Sequence, residues 1–192
     1  MSTAEKWHFV SVEDYLAEEE RSPTKREYRA GVVYAMAEAK NSHNRIATNA
    51  LGQLYSQLRG RPRQPCNSDT KIRIRLLDGT RFYYPDAFVV CQPNPPDDVF
   101  HDAPVVVLEV ASASTRRIDL GEKRDAYLSI PSLAVYLVAE VKEPFVRIFR
   151  RSPFGDFRNE AAEGLDAVID LYEGASFEDE TTDRFVSEED AD

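Results

Sequence analysis

The residues that could do chemistry begin with an acid inside an apolar run. In "PVVVLEVASAST", residues 104–115, five of the seven residues from Val105 to Ala111 are Val or Leu, which reads as a buried strand, yet Glu109 stands within it. An ionised carboxylate in a dry strand is costly unless it is paired, protonated or bound to a metal. A second acid, Asp86, follows Pro85 in "YYPDAFVV", where a strand begins or is kinked. A Pro-Asp pair alone is ordinary turn chemistry. Followed by an acid buried in the next strand, it is more specific. Mg²⁺ takes oxygen ligands, commonly one or two carboxylates completed by water and phosphate. A metal held by Asp86 and Glu109 would neutralise the buried charge and could activate water for attack on a phosphodiester.

A cation can be placed beside these acids from element lengths. Val105, Val107, Glu109 and Ala111 share one face of the strand. Glu109 lies roughly 10 Å back from the strand end at ~3.3 Å per residue. The next helix must run back along the sheet, and Lys123 lies about 9 Å beyond Arg117 at ~1.5 Å per residue. The depths match, so Lys123 can reach the level of Glu109, where it would stabilise developing negative charge or orient water.

Asp119, Lys123 and Tyr127 recur every four residues and share a helical stripe. The plain reading of the first two is a surface pair worth about 0.3 kcal/mol. Tyr127 is expected to lay its ring on the sheet and touch Lys123 with its hydroxyl. Ser112, Ser114 and Thr115 read as helix-capping residues, since no His accompanies them as a base; a phosphate at that helix start is the functional alternative. His43 opens another helix, where a polar contact is the simple expectation and a direct catalytic role the alternative. His8 and His101 show no metal spacing with Cys66 or Cys91, which argues against zinc.

The elements that must position these groups follow from pattern. "SVED" (11–14) caps a short helix to about Glu20. "REYRAGVVYAM" (26–36) reads as a hairpin around a glycine turn. Ile46, Ala50, Leu54 and Leu58 form the apolar stripe of a long helix from Ser42 to about Arg59. "TKIRIRLL" alternates, Asp78-Gly79 turns, and "TRFYYPDAFVVC" returns with an interruption at Pro85. The loop 92–98 precedes the strand at 104–111. A helix from about Arg117 to Ser129 and a buried strand at 133–140 then make a parallel crossover. Outer strands are expected at 145–151 and around 157–171. The fold class is α/β, a mixed β-sheet flanked by helices, with a single domain over 1–186 and a disordered acidic tail at 187–192.

Composition sets the frame. The 192 residues are 30% charged and 42% hydrophobic, an ordinary globular balance. No apolar run reaches the ~20 residues of a membrane helix, no signal core opens the chain, and two cysteines suggest no disulfide framework; a cytoplasmic protein is expected. The net charge is −10, but residues 1–20 and 155–192 hold twenty acids and three bases, leaving 21 bases against 14 acids between. The block "RGRPRQPCNSDTKIRIR" (59–75) is the densest basic stretch. A basic body with acidic ends fits a phosphate-binding surface as well as an ordinary solvated face.

"EYRAGVVYAM", "NSHNRI", "YYPDAFVV", "VVVLEVASAST", "DLGEKRDAY" and "IPSLAVYLV" resemble, in order and spacing, successive blocks of the Uma-type restriction endonuclease family of the PD-(D/E)XK nuclease superfamily. The resemblance runs from about Val12 to Arg150. It implies a restriction-endonuclease-like core and Mg²⁺-dependent cleavage of nucleic acid, expected to be DNA, with Mn²⁺ as a substitute. By position it implies Asp86 and Glu109 as metal ligands and Glu27 as a further ligand or water contact. The superfamily's lysine, normally two residues after the acid, is replaced by Ala111, and the resemblance moves it to Lys123. Ala113 stands where relatives often have Pro. A homodimer would supply two sites for two strands, although no residue specifies one. Fold does not carry activity with it, so a catalytically inactive nuclease-fold module binding nucleic acid or a protein is the alternative. A hydrolase of small phosphorylated molecules would use the same site chemistry.

Overall fold

The computed structural model describes residues 9–171 and the strand at 184–186, so His8 and the acidic tail at 187–192 lie outside the described residues. Helix α1 (Val12–Glu19) starts where Ser11 Oγ accepts the Asp14 N–H. Strands β1 (Arg26–Arg29) and β2 (Val32–Ala35) form the expected hairpin. Helix α2 (Asn41–Leu58) buries Ala50, Leu54 and Leu58 along its expected stripe. Strand β3 (Gln64–Asn67), within the basic block, has no alternation in sequence to announce it.

The hairpin of β4 (Lys71–Leu76) and β5 (Gly79–Tyr83) is present, but its return strand does not continue past the proline. Pro85 lacks the N–H a ladder needs, and beyond it β6 (Ala87–Val90) belongs to a different sheet. The mixed α/β architecture of the sequence reading is present, with most of its strands divided between two larger sheets. One has five strands in the order β2-β1-β5-β4-β7, where β7 is Phe100–His101. The other has six, β11-β10-β9-β8-β6-β3, built from β8 (Pro104–Ala111), β9 (Val135–Glu140), β10 (Phe145–Arg151) and β11 (Phe157–Glu163). Both are mixed: β4 pairs β7, and β8 pairs β9, in parallel. Strands β12 (Val168–Asp170) and β13 (Arg184–Val186) pair separately.

Strand alternation divides β8 between two cores. Val106, Leu108 and Val110 pack under α2 with Ala87, Val89, Val135 and Leu137. Val107 and Ala111 face the other way, toward Phe88, Tyr127, Tyr136 and Tyr83. Glu109 shares that second face. The crossover from β8 to β9 is helical over the expected range but not uniformly so: α3 (Arg116–Ile118), a π-helical turn (Asp119–Lys123) and α4 (Arg124–Leu128) follow in series. A π turn adds one residue per hydrogen-bonded ring and often occurs at functional sites. Among the described residues, no helix is long and apolar enough to cross a membrane.

Candidate active site

Three elements, β1, β8 and the π-helical turn, bring four charged side chains together between the sheets. Glu109 is 4% exposed, Lys123 7%, Asp119 3% and Glu27 5%. Lys123 Nζ lies 2.7 Å from Glu27 Oε1, 3.1 Å from Glu109 Oε1 and 3.8 Å from Asp119 Oδ1. The depth match between β8 and the following helix thus ends in a direct contact. Asp119 is not the surface partner the four-residue spacing suggested, because the stripe it shares with Lys123 faces inward. The Tyr127 hydroxyl donates to Glu109 Oε1 at 3.0 Å, so it meets the acid and not the lysine. That orientation is reasonable for a phenol, which gains more from an anionic acceptor than from an ammonium that only donates.

Asp86 arrives from the joint between the sheets. Its Oδ2 accepts the N–H of Val110 at 2.7 Å and lies 3.3 Å from His43 Nε2, in the first turn of α2. Asp86 therefore stands beside the residue that follows Glu109. The polar contact expected of His43 is made with one of the two candidate ligands.

Protonation follows from burial and neighbours. Burial pushes the Glu109 carboxyl well above its ordinary range; Lys123 opposes this, while Asp119, Asp86 and Glu27 add to it. Burial also raises Asp119 against the pull of Lys123. For Lys123, burial disfavours the ammonium, but Glu109, Glu27 and Asp119 outweigh it and keep the side chain charged. Three acids share this one ammonium, so its single charge cannot neutralise them all. The hydrogen bond to Asp86 raises the His43 imidazole above its usual value, with burial opposing.

Two further residues escaped the sequence reading. Arg29 Nη2 donates to Glu27 Oε2 and Nη1 to Glu122 Oε2, both at 2.9 Å. The Tyr83 hydroxyl donates to the other Glu122 oxygen at 3.0 Å. The available signal was the two-residue spacing of Glu27 and Arg29, which sets both on one strand face. Ser112 and Thr115 bind one another: each backbone N–H donates to the other's hydroxyl oxygen, at 3.0 and 3.3 Å. They shape the turn, while Thr115 as N-cap makes no side-chain capping bond. Cys66 Sγ lies 4.0 Å from His101 Nε2, a proximity their sequence spacing gave no hint of. Among the described residues, no three His, Cys, Asp or Glu side chains are grouped to hold a metal.

Mixed sheets flanked by a few helices define an α/β fold. The structure resembles the crystal structure of "a putative nuclease belonging to DUF820" from Anabaena variabilis, with a TM-score of 0.64 at 15% identity, covering 87% of this chain and 92% of that one. At that identity the likeness is one of fold. The chain belongs to the Uma2 family, described as "Putative restriction endonuclease", which it matches over residues 12–178. It is 32% identical over 149 residues to the uncharacterised protein slr1290 of Synechocystis sp., covering 77% of each chain. It is 28% identical over 134 residues to sll1609 of the same organism, covering 68% of this chain and 75% of the relative. Restriction-endonuclease-like families generally use divalent metals.

Proposed function

We propose that this chain is a metal-dependent nuclease that hydrolyses phosphodiester bonds of DNA, with Mg²⁺ as the working ion and Mn²⁺ able to replace it. The observation that carries this reading is the pairing of Asp86 with the backbone N–H next to Glu109, beside a buried lysine. An all-protein metal cage does not fit the described residues. Two carboxylates do fit Mg²⁺, which usually keeps several waters and takes substrate phosphate as a ligand. In this reading Asp86 and Glu109 hold the ion.

When bound, a divalent ion supplies Lewis-acid charge at the phosphate and lowers the pKa of water. The chain's own groups do the rest. Tyr127 fixes the Glu109 carboxylate through Oε1. His43 and the Val110 N–H hold Asp86 by the same oxygen, Oδ2, which restricts its rotation. Lys123, charged and largely desolvated, can donate an N–H to a phosphoryl oxygen as negative charge develops there, an interaction strengthened by exclusion of water.

The basic block gives DNA less support than its charge suggests. Arg73 donates twice to Asp102 at 2.7 Å, Arg75 lies 3.7 Å from the same acid, and buried Lys71 donates to the Tyr84 hydroxyl at 3.1 Å. At least these three of its six bases have partners within the chain, although Arg75 stays largely exposed. This favours the second reading, a non-catalytic binding module, over one resting on charge alone. Calorimetric titration with Mn²⁺ separates the two. The nuclease reading expects binding at millimolar metal or tighter that is lost in both Asp86→Asn and Glu109→Gln; no binding by the wild-type chain would overturn it.

A further inference from the structure

Resting on the nuclease reading, we infer that Arg29 and Glu122 form a clamp that positions Lys123, and that Glu27 serves this clamp and is not a metal ligand. Glu27 and Arg29 leave the same face of β1, while Tyr28 between them enters the aromatic core with Tyr15 and Phe82. One guanidinium then grips two acids, Glu27 through Nη2 and Glu122 through Nη1. Glu122 immediately precedes Lys123 in the π-helical turn. Glu27 lies on the other side of the ammonium, with Oε1 at 2.7 Å from Nζ. Arg29 thus holds the lysine's backbone through Glu122 and the lysine's head through Glu27.

The chemistry suits the residue types. A lysine is a point charge on a flexible stem, whereas the guanidinium is a planar fork whose donors have fixed directions. The Arg29 guanidinium lies 4.5 Å from the centre of the Tyr34 ring and 5.6 Å from that of Tyr83. Tyr83 also tethers the second Glu122 oxygen, closing the clamp on the five-stranded sheet. Both Glu27 oxygens have cationic neighbours, Oε2 Arg29 and Oε1 Lys123, so a metal at Glu27 would sit against one positive charge or the other. Glu122 itself is 45% exposed, so the core does not require its charge. Arg29 is accordingly a positioning residue, acting on the reaction through Lys123.

Amine acylation of the full chain, read by peptide mass spectrometry, tests the clamp without relying on cleavage. Lys71, buried against Tyr84, reports general loosening. Arg29→Met removes the charge-assisted hydrogen bonds to both Glu27 and Glu122 and should raise Lys123 acylation at least about tenfold, with Lys71 unchanged. Glu122→Gln should raise it less, by about threefold for a weakened neutral contact, and Arg29→Lys should restore part of the protection. Mn²⁺ affinity should stay at the wild-type value in all three, and in Arg29→Met kcat should fall with KM unchanged. Unchanged Lys123 protection in Arg29→Met and Glu122→Gln would overturn the clamp, as would equal loosening of Lys71. A Mn²⁺ affinity that falls with Arg29→Met would overturn the exclusion of Glu27 from the metal. Absence of cleavage by the wild-type chain would instead count against the nuclease reading, and the acylation result would stand independently.

Discussion

The backbone N–H of Val110 donates a 2.7 Å hydrogen bond to Asp86 Oδ2. The bond exists because β6 runs antiparallel to β8 with Ala87 opposite Leu108, so the residue before Ala87 falls beside the residues after Leu108. Asp86 and Glu109, far apart in the chain, become neighbours through main-chain pairing. Long side chains do not have to search for one another.

Neutralising Asp86 should therefore act on metal more than on folding. Asp86→Asn keeps an oxygen for Val110 but removes the charge, and should destabilise the chain by about 1 kcal/mol. Calorimetry should show Mn²⁺ affinity falling at least tenfold, with the urea midpoint only slightly reduced. A large stability loss with unchanged Mn²⁺ affinity would make Asp86 a structural residue.

Removing the ammonium should be the most damaging change in the cluster. Lys123→Met leaves three buried acids around an apolar side chain, and breaking a buried ion pair this way costs about 3–5 kcal/mol. Glu109→Gln relieves the acid excess and should cost much less. Urea denaturation of the two variants checks the order; a Lys123→Met chain as stable as Glu109→Gln would contradict it.

The metal-free chain should become less stable as pH rises above the ordinary carboxylate range. Burial raises the Glu109 and Asp119 carboxyls above their ordinary values of 4.5 and 3.8, so the folded chain holds protons that the unfolded chain has released. Their contribution is complete below the ordinary pKa and is lost as pH climbs through the folded one. The raised His43 imidazole acts in the same direction. Urea midpoints measured from about pH 5 to pH 8 should fall in the wild type. They should fall less steeply in Glu109→Gln, and equal slopes in the two would remove Glu109 as the cause.

Much of this site could be read before any coordinates. The apolar run around Glu109 exposed it as an acid that needed a partner, and element lengths alone brought Lys123 to its level. The stripe of α2 and the parallel β8–β9 pair were equally legible, because burial writes periodicity into sequence. Other features were not. Pro85 signalled a break but could not say that the chain would change sheets there. Asp119 and Lys123 both face inward from the π turn, and four-residue spacing describes a surface pair and a buried one equally well. Arg29 and Glu122 meet across two elements distant in sequence, which no local pattern encodes.

Tyr127 offers a small, clean test of how Glu109 is held. Tyr127→Phe removes only the hydroxyl that donates to Oε1. The loss should be about 1.5–3 kcal/mol, the usual worth of a hydrogen bond to a charged group. A thermal midpoint unchanged from wild type would mean that Lys123 alone orients the carboxylate.

The role proposed for Glu109 is to hold a metal that serves phosphodiester hydrolysis. Its most direct test is cleavage of plasmid DNA in Mg²⁺ by wild-type and Glu109→Ala chains purified side by side, each first shown by circular dichroism to be folded. The wild type should give nicked or linear product, none when the metal is chelated, and Glu109→Ala should give none. Equal cleavage by both chains would contradict that role.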